Sequence, residues 1–306
     1  MPSSVSGRFR LRLGARSRRT VSRLLVFGPS ATILAFLAFP ILLALWYSLT
    51  NYKLTNVAGP QLIGLDNYLY ILKDPQTLDR LVTTLKFVLL SLGIELPGGF
   101  AVALLLNRES RGIRALRTVV LMPMMVPFIV AALVWRTMMA PVEGVLNYGL
   151  SLVGLPPSAW LGSPTTALPS VVLIDVWTQI PFVSLVLLAG LQGLPREPYE
   201  AARIDGASEW QLFRYLTLPL MTPFLSLISI FRAIETFKVF DIIFATTKGG
   251  PGKSTTTLNI AAYREGFTYG SMGSALSYVF LLALLIVLVV GVLTMLWRRS
   301  SRLTSE

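Results

Sequence analysis

Six long apolar stretches limit what this chain of 306 residues can fold into. They are Leu24–Leu49, Leu81–Leu106, Val119–Met139, Leu168–Leu191, Leu216 to about Val239, and Ser274–Trp297. A helix crosses the hydrocarbon of a bilayer with roughly 20 residues, and each stretch has that length. The outer end of the fifth is open, since the apolar run continues to about Thr246. Inside hydrocarbon a backbone must satisfy its hydrogen bonds within its own segment. Long runs without two-residue alternation favour helices over barrel strands. The expectation is an all-α polytopic membrane protein with six transmembrane helices. Composition agrees: 14% of residues are charged and 54% hydrophobic, whereas a soluble domain carries about 25% charged residues.

The loop charges orient the spans. Arg8, Arg10, Arg12, Arg16, Arg18, Arg19 and Arg23 precede the first span, and Arg108, Arg111, Arg114 and Arg117 follow the second. Arg196, Arg203 and Arg214 follow the fourth, and Arg298, Arg299 and Arg302 follow the sixth. The opposite loops hold only Lys53, Lys73, Arg80, Lys248, Lys253 and Arg264. This asymmetry places both termini in the cytoplasm. It also assigns the net charge of +12 to membrane rims facing anionic lipid, not to nucleic acid. Residues 1–23 read as a basic cytoplasmic tail, 24–298 as the membrane core and 299–306 as a second tail. A basic start before an apolar run also fits a secretory signal peptide. The first run is longer than the usual core of such a peptide and carries Trp46 and Tyr47 at its end, which favours a retained span.

Other chemistries are narrowed by what the chain holds. It has no His and no Cys, so a His-based triad or a His-ligated metal site is impossible within it. An intramembrane enzyme would need carboxylate, Ser or Lys chemistry, and no such pairing stands out. Gly249-Gly250-Pro251-Gly252-Lys253-Ser254 imitates the end of a phosphate loop. The full pattern needs Gly where Thr247 stands, and it follows a strand. Nucleotide hydrolysis is therefore assigned elsewhere.

The segment 192–219 carries the densest local signals. Pro198 suits a first helical turn. Tyr199–Ile204 forms a short helix stopping at Asp205-Gly206, with Gly206 suited to a C-terminal cap. Ser208 and Gln211 form a capping-box pair that opens a second helix. The result is a helix–turn–helix knob on the membrane surface. Ala201, Ala202 and Ala207 offer a small face for close approach, and Tyr199, Ile204 and Phe213 are candidates to fill a partner's groove. Lying between two spans, the knob suits the passing of motion from a cytoplasmic partner into the bundle. An ordinary interfacial loop is the plainer alternative.

These residues carry a resemblance. Glu200-Ala201-Ala202, then Asp205-Gly206-Ala207, then Phe213 and Leu218-Pro219, resemble the "EAA" loop of ABC importer permeases. Phe240-Asp241-x-Ile243, Thr247-x-Gly249-Gly250-Pro251, Tyr263, Phe267 and Gly273-Ser274-Ala275 are similar to the carbohydrate branch, maltose-permease type. The resemblance covers nearly all of residues 24–298. It implies a permease of a bacterial or archaeal cytoplasmic membrane that pairs with a second, homologous permease. It also implies two ATPase subunits that bind ATP and Mg, and an extracytoplasmic sugar-binding protein. The loop 193–218 would be the coupling element, with Glu200 contacting an ATPase subunit and Gly206 allowing the sharp turn. No cofactor is expected in this chain. A stand-alone secondary transporter is the competing reading, and it leaves the knob unexplained.

Ionisable residues inside spans need a partner or a watery cavity. The candidates are Lys86, Glu95, Arg136, Asp175, Arg232, Glu235, Lys238 and Asp241. Asp175, Thr178, Gln179 and Phe182 share one helical face by their spacing. An acceptor, a hydroxyl, an amide and an aromatic suit a sugar; they equally suit a hydrogen-bond cluster between helices. Arg232 and Glu235 are expected at a mid-membrane cavity, with Lys238 and Asp241 nearer the outer mouth. A structural salt-bridge network is the alternative for these four. Phe240, Asp241, Thr247, Gly249, Gly250 and Pro251 form the family motif at that mouth. Glu143, Asn147 and Tyr148, in the 140–167 outer loop, are placed by topology to meet the binding protein.

Overall fold

A computed structural model of the chain describes residues 15–56, 59–108 and 110–303. Most of the Arg-rich start and the last residues of the C-terminal tail lie outside this range. The helices are α1 Ala15–Ser48, α2 Asp66–Lys73, α3 Pro75–Leu106, α4 Arg111–Leu121, α5 Phe128–Met138, α6 Val145–Leu152, α7 Ala167–Gln192, α8 Glu197–Ile204, α9 Glu209–Leu212, α10 Leu218–Phe237, α11 Asp241–Thr246, α12 Leu258–Tyr263 and α13 Met272–Leu303. Among the described residues there are no strands, only two isolated bridges, Thr50 with Leu62 and Lys53 with Ser271. The all-α expectation holds.

Among the described residues, five helices are long and apolar enough to span, within Pro29–Ser48, Pro75–Leu106, Ala167–Gln192, Glu209–Thr246 and Met272–Arg298. The third expected span, Val119–Met139, is not one continuous helix. It is broken into Ala115–Met125 and Phe128–Met138, which meet at 98°. The physical reason is local. Pro127 has no N–H and forces its predecessor out of the helical region; Val126 is accordingly extended at φ −85°, ψ 126°. The fifth span is a composite. A π-helical segment Phe213–Thr217 joins α9 to α10, and α11 resumes after a break at Lys238–Phe240.

The helix α7 is the centre of the molecule: 61% of its most apolar window is buried inside the chain, against 6% for α13. Its most extensive partner is α3. Pro97-Gly98-Gly99 in α3 allows this closeness, because a Cβ on Gly99 would lie 2.4 Å from Val183 Cγ1. Small residues at a helix crossing let backbones approach where no water is present to drive association. The helix α10 packs on both, and α13 packs on α10 and α12. One core cluster gathers Phe100, Leu106, Val183, Leu187, Met221 and Ile228. A second gathers Phe87, Met139, Val171, Ile174 and Ile242. By contrast, none of the apolar window of Pro29–Ser48 is buried within the chain, which leaves that helix for lipid or another subunit.

Candidate functional site

The 193–218 loop forms the knob expected of it. Pro198 lies in the first turn of α8. The helix stops where Gly206 adopts φ +86°. There Ala207 N–H donates to the Ala202 carbonyl (2.9 Å) and Gly206 N–H to the Arg203 carbonyl (3.1 Å). These two bonds define a Schellman motif, which needs a residue at ease in the left-handed region. Across the turn, Ser208 Oγ accepts from Gln211 N–H (3.4 Å) and Gln211 Oε1 accepts from Ser208 N–H (2.7 Å). Caps at both ends make the knob self-supporting. Glu200, Ala201, Asp205 and Gly206 are exposed, and Ala202 and Ala207 are half-buried. Ile204 is 87% exposed. Tyr199 and Phe213 face inward instead of toward a partner. Tyr199 OH donates to Thr217 Oγ1 (3.1 Å), and the Phe213 ring lies 6.0 Å from that of Phe100. They seat the knob on the bundle.

Inside the bundle lies a cluster that unites three helices. Arg232 on α10 donates from Nε to Glu95 Oε2 (2.9 Å) and from Nη2 to Glu95 Oε1 (3.0 Å). The same Nη2 reaches Thr236 Oγ1 at 3.1 Å and lies 3.6 Å from Asp175 Oδ2. Glu95, Asp175 and Arg232 are 0%, 0% and 1% exposed. Asp175 accepts no hydrogen bond on either oxygen, and the neighbouring Ser91 hydroxyl has no partner. In this conformation Asp175, Thr178 and Arg232 do not face an open path. The Thr178 hydroxyl folds back onto the Asp175 carbonyl (2.8 Å). A guanidinium sharing a dry interior with two carboxylates is held among them by their charge. The inter-helix cluster is thus formed by Glu95, Asp175 and Arg232, while the Thr178 hydroxyl bonds within α7.

The rest of the stripe lies at the edge of the bundle. Gln179, Phe182 and Glu235 are half-buried. The Phe182 ring lies 5.5 Å from that of Phe231. Glu235 does not pair with Arg232; its Oε1 accepts from Lys238 Nζ (2.6 Å). Arg136 Nη1 donates to the Ala245 carbonyl (3.4 Å).

The stretch around residues 240–267 is built as a compact cap. Phe240, Phe244, Tyr263 and Phe267 form an aromatic ladder with ring centroids 4.8–5.2 Å apart. Asp241 opens α11 and is exposed. The Gly249-Gly250-Pro251 turn is stapled by threonines. Thr247 and Thr255 share a hydroxyl contact (2.7 Å), Thr255 Oγ1 donates to the Gly250 carbonyl (2.8 Å) and Thr256 Oγ1 to the Gly249 carbonyl (2.7 Å). Lys253, the imitation phosphate-loop lysine, donates instead to Gln76 Oε1 (2.9 Å). Nearby, burial raises the Glu265 carboxyl above its ordinary range, with Arg80 opposing the shift and Asp74 adding to it.

In the 140–167 loop the three candidates part company. Glu143 and Tyr148 are exposed. Asn147 is a structural hub. Its amide donates to the Pro141 and Ser158 carbonyls (2.9 and 3.0 Å), and its oxygen accepts from Ser158 N–H and Trp160 Nε1 (3.0 and 2.8 Å).

With this geometry in hand, comparison with known proteins is direct. Residues 95–302 match the family of binding-protein-dependent transport system inner membrane components. The chain belongs to that family. It is a multi-pass protein of the cytoplasmic membrane. It is 37% identical over 268 residues to the trehalose/maltose transport system permease protein MalF of Thermococcus litoralis, covering 86% of this chain and 90% of that protein. It is 35% identical over 270 residues to the trehalose transport system permease protein SugA of Mycobacterium tuberculosis, covering 87% and 86%. Its fold superposes with a TM-score of 0.79 on a chain from the crystal structure of a bacterial alginate ABC transporter in complex with alginate pentasaccharide-bound periplasmic protein, at 24% identity and covering 92% and 95%.

Within this family member, sequence reasoning named both Glu95 and Arg232 but not their pairing, since Arg232 was grouped with Glu235. Ser91 and Thr236 also escaped, although each lies one helical turn from a charged member of the cluster. That i, i+4 spacing was the available signal. Phe244, the second rung of the aromatic ladder, was missed because apolar residues around it mask its separate role.

Proposed function

We propose that this chain is the membrane permease subunit of an ATP-driven, binding-protein-dependent sugar importer. Its substrate class is a disaccharide, such as maltose or trehalose, or an oligosaccharide. The observation that carries the reading is the self-capped knob, which holds Glu200, Ala201, Ala202, Asp205, Gly206 and Ala207 at the surface in a family whose relatives include trehalose and maltose permeases. The partners are a second permease, two ATPase subunits and an extracytoplasmic sugar-binding protein. ATP and Mg belong to the ATPase subunits, and this chain performs no catalysis. The loop charges support cytoplasmic placement of both termini and of the knob.

The mechanism is alternating access. Closure of the ATPase subunits moves the knob. The π-helical segment Phe213–Thr217 runs straight from α9 into α10, so displacement of the knob is delivered to the helix that carries Arg232 and Glu235. The buried Glu95–Arg232–Asp175 cluster ties α3, α7 and α10, which supports their moving as one body. Gln179, Phe182 and Glu235 line the solute path. An amide, an aromatic face and a carboxylate match the hydroxyls and C–H surface of a sugar ring. Asp175, Thr178 and Arg232 hold that face from behind. The turn around Phe240, Asp241, Thr247, Gly249, Gly250 and Pro251 shapes the outer mouth.

The test is the ATPase activity of the assembled complex, in lipid with its binding protein, across a panel of sugars. Stimulation by one disaccharide or oligosaccharide is the expected outcome. Solute uptake by the purified permease without any ATPase subunit would overturn the reading.

A further inference from the structure

Beside the knob lies a cleft of about 1160 Å³ between the 107–117 segment and the 191–203 segment. Its lining holds Arg108, Arg117, Arg196 and Arg203 against a single carboxylate, Glu200. Neither Arg108 nor Arg196 forms an ion pair among the described residues. Arg203 pairs only with Glu209 at 3.3 Å, and the two side chains are 57% and 82% exposed. Such a pair is easily given up. Arg117 is held in place by donating Nε and Nη2 to the Leu106 carbonyl (3.2 and 2.7 Å). Among the described residues, the cleft therefore presents an excess of positive charge.

Two further observations point to the ligand. One is the 98° bend between Ala115–Met125 and Phe128–Met138. The bend sets the second half of α4 nearly perpendicular to α5, and the sequence of α4 sets arginines at 111, 114 and 117. Basic amphipathic helices that lie along a membrane surface sit at headgroup depth. The other is the mixed lining: Leu104 and Leu191, at the ends of spanning helices, stand beside the arginines. A phosphate with an acyl chain behind it matches both.

We propose that this cleft binds the phosphate headgroup of an anionic phospholipid, next to the coupling loop. Arg108 and Arg196 supply the open charge, and Arg117 is the fixed donor. Placing the cleft on the cytoplasmic leaflet rests on the topology given under the proposed function. The binding itself does not.

The assembled transporter, in nanodiscs of phosphatidylcholine mixed with phosphatidylglycerol, tests this by native mass spectrometry of the lipids it retains. Selective retention of phosphatidylglycerol is expected, reduced roughly tenfold or more in the Arg108→Gln, Arg196→Gln double variant. Lys73→Gln, on the opposite loops, should leave it unchanged. Equal retention of the two lipids by the unaltered transporter overturns the proposal and needs no variant. So does undiminished phosphatidylglycerol in the double variant. Unchanged lipid together with lost ATPase subunits would make the cleft a protein contact instead. Displacement of the lipid by inorganic phosphate at physiological concentration would assign the site to a free anion and overturn the lipid source. Because the readout is bound lipid, the result stands apart from whether any sugar stimulates ATP hydrolysis.

Discussion

The 193–218 knob and the buried ionic cluster place charge in opposite ways. In the knob, Glu200, Asp205 and their neighbours are close in sequence, exposed, and held by caps within the loop. In the cluster, Arg232 meets Glu95 from 137 residues away in a fully enclosed site. Water solvates the first, so each interaction there contributes little alone and can be remade during a motion. The second is buried away from bulk solvent, so breaking it exposes the desolvation cost of the charge left behind. The contrast matches the two jobs: the knob suits a moving contact, the cluster a rigid tie.

The largest expected effect breaks the tie. Arg232→Met removes the cation from two buried carboxylates and should cost about 3–5 kcal/mol. It would be read as a large fall in the melting temperature of the purified protein or loss of folded yield. A variant that melts like wild type would remove the tie from the argument. The same assay sharpens the geometry: Glu95→Gln should hurt far more than Asp175→Asn, since Glu95 accepts both strong hydrogen bonds and Asp175 accepts none.

In the knob the strongest local change is Gly206→Val. A β-branched residue at φ +86° is strained by about 1–3 kcal/mol. The expectation is near-normal melting with loss of sugar-stimulated ATP hydrolysis in the assembled complex, as for Glu200→Lys. Retention of stimulation in both variants would detach coupling from the knob. Smaller again is Ser208→Ala, which deletes one half of the capping box at about 1 kcal/mol. Hydrogen exchange should quicken around residues 208–212 while the protection of α7 stays the same.

The smallest effect is at Glu265, in the π-helical segment before α13. The folded-state Glu265 carboxyl is raised above its ordinary 4.5, first by burial. A raised acid binds its proton more tightly when folded, so it destabilises the fold once pH climbs from 4.5 past the folded value, and has no effect below that window. Glu265→Gln should therefore raise the melting temperature modestly at neutral pH and leave it unchanged in acid. A gain of the same size at both pH values would point to packing instead of charge.

Much of this was readable from local signals. The knob was, because proline at a first turn, glycine past a last turn and a capping box act over a few residues. The helical spans were, since hydrocarbon leaves the backbone no other economical arrangement. The third span was legible as an apolar stretch of spanning length, but the size of its 98° bend at Val126 and Pro127 was not. The face of α7 was legible as a stripe but not as a destination. Spacing places Asp175, Thr178, Gln179 and Phe182 together, and cannot say whether α3 and α10 or an open path lies opposite.

The sequence alone thus determined the helical class, the number of apolar stretches and the shape of the 193–218 knob, since each follows from forces acting within one segment. The tertiary structure decided which charges became partners. That choice depends on which helices approach closely, as Gly99 lets α3 approach Val183 on α7. It depends also on how a dry interior forces distant side chains such as Glu95 and Arg232 to neutralise each other.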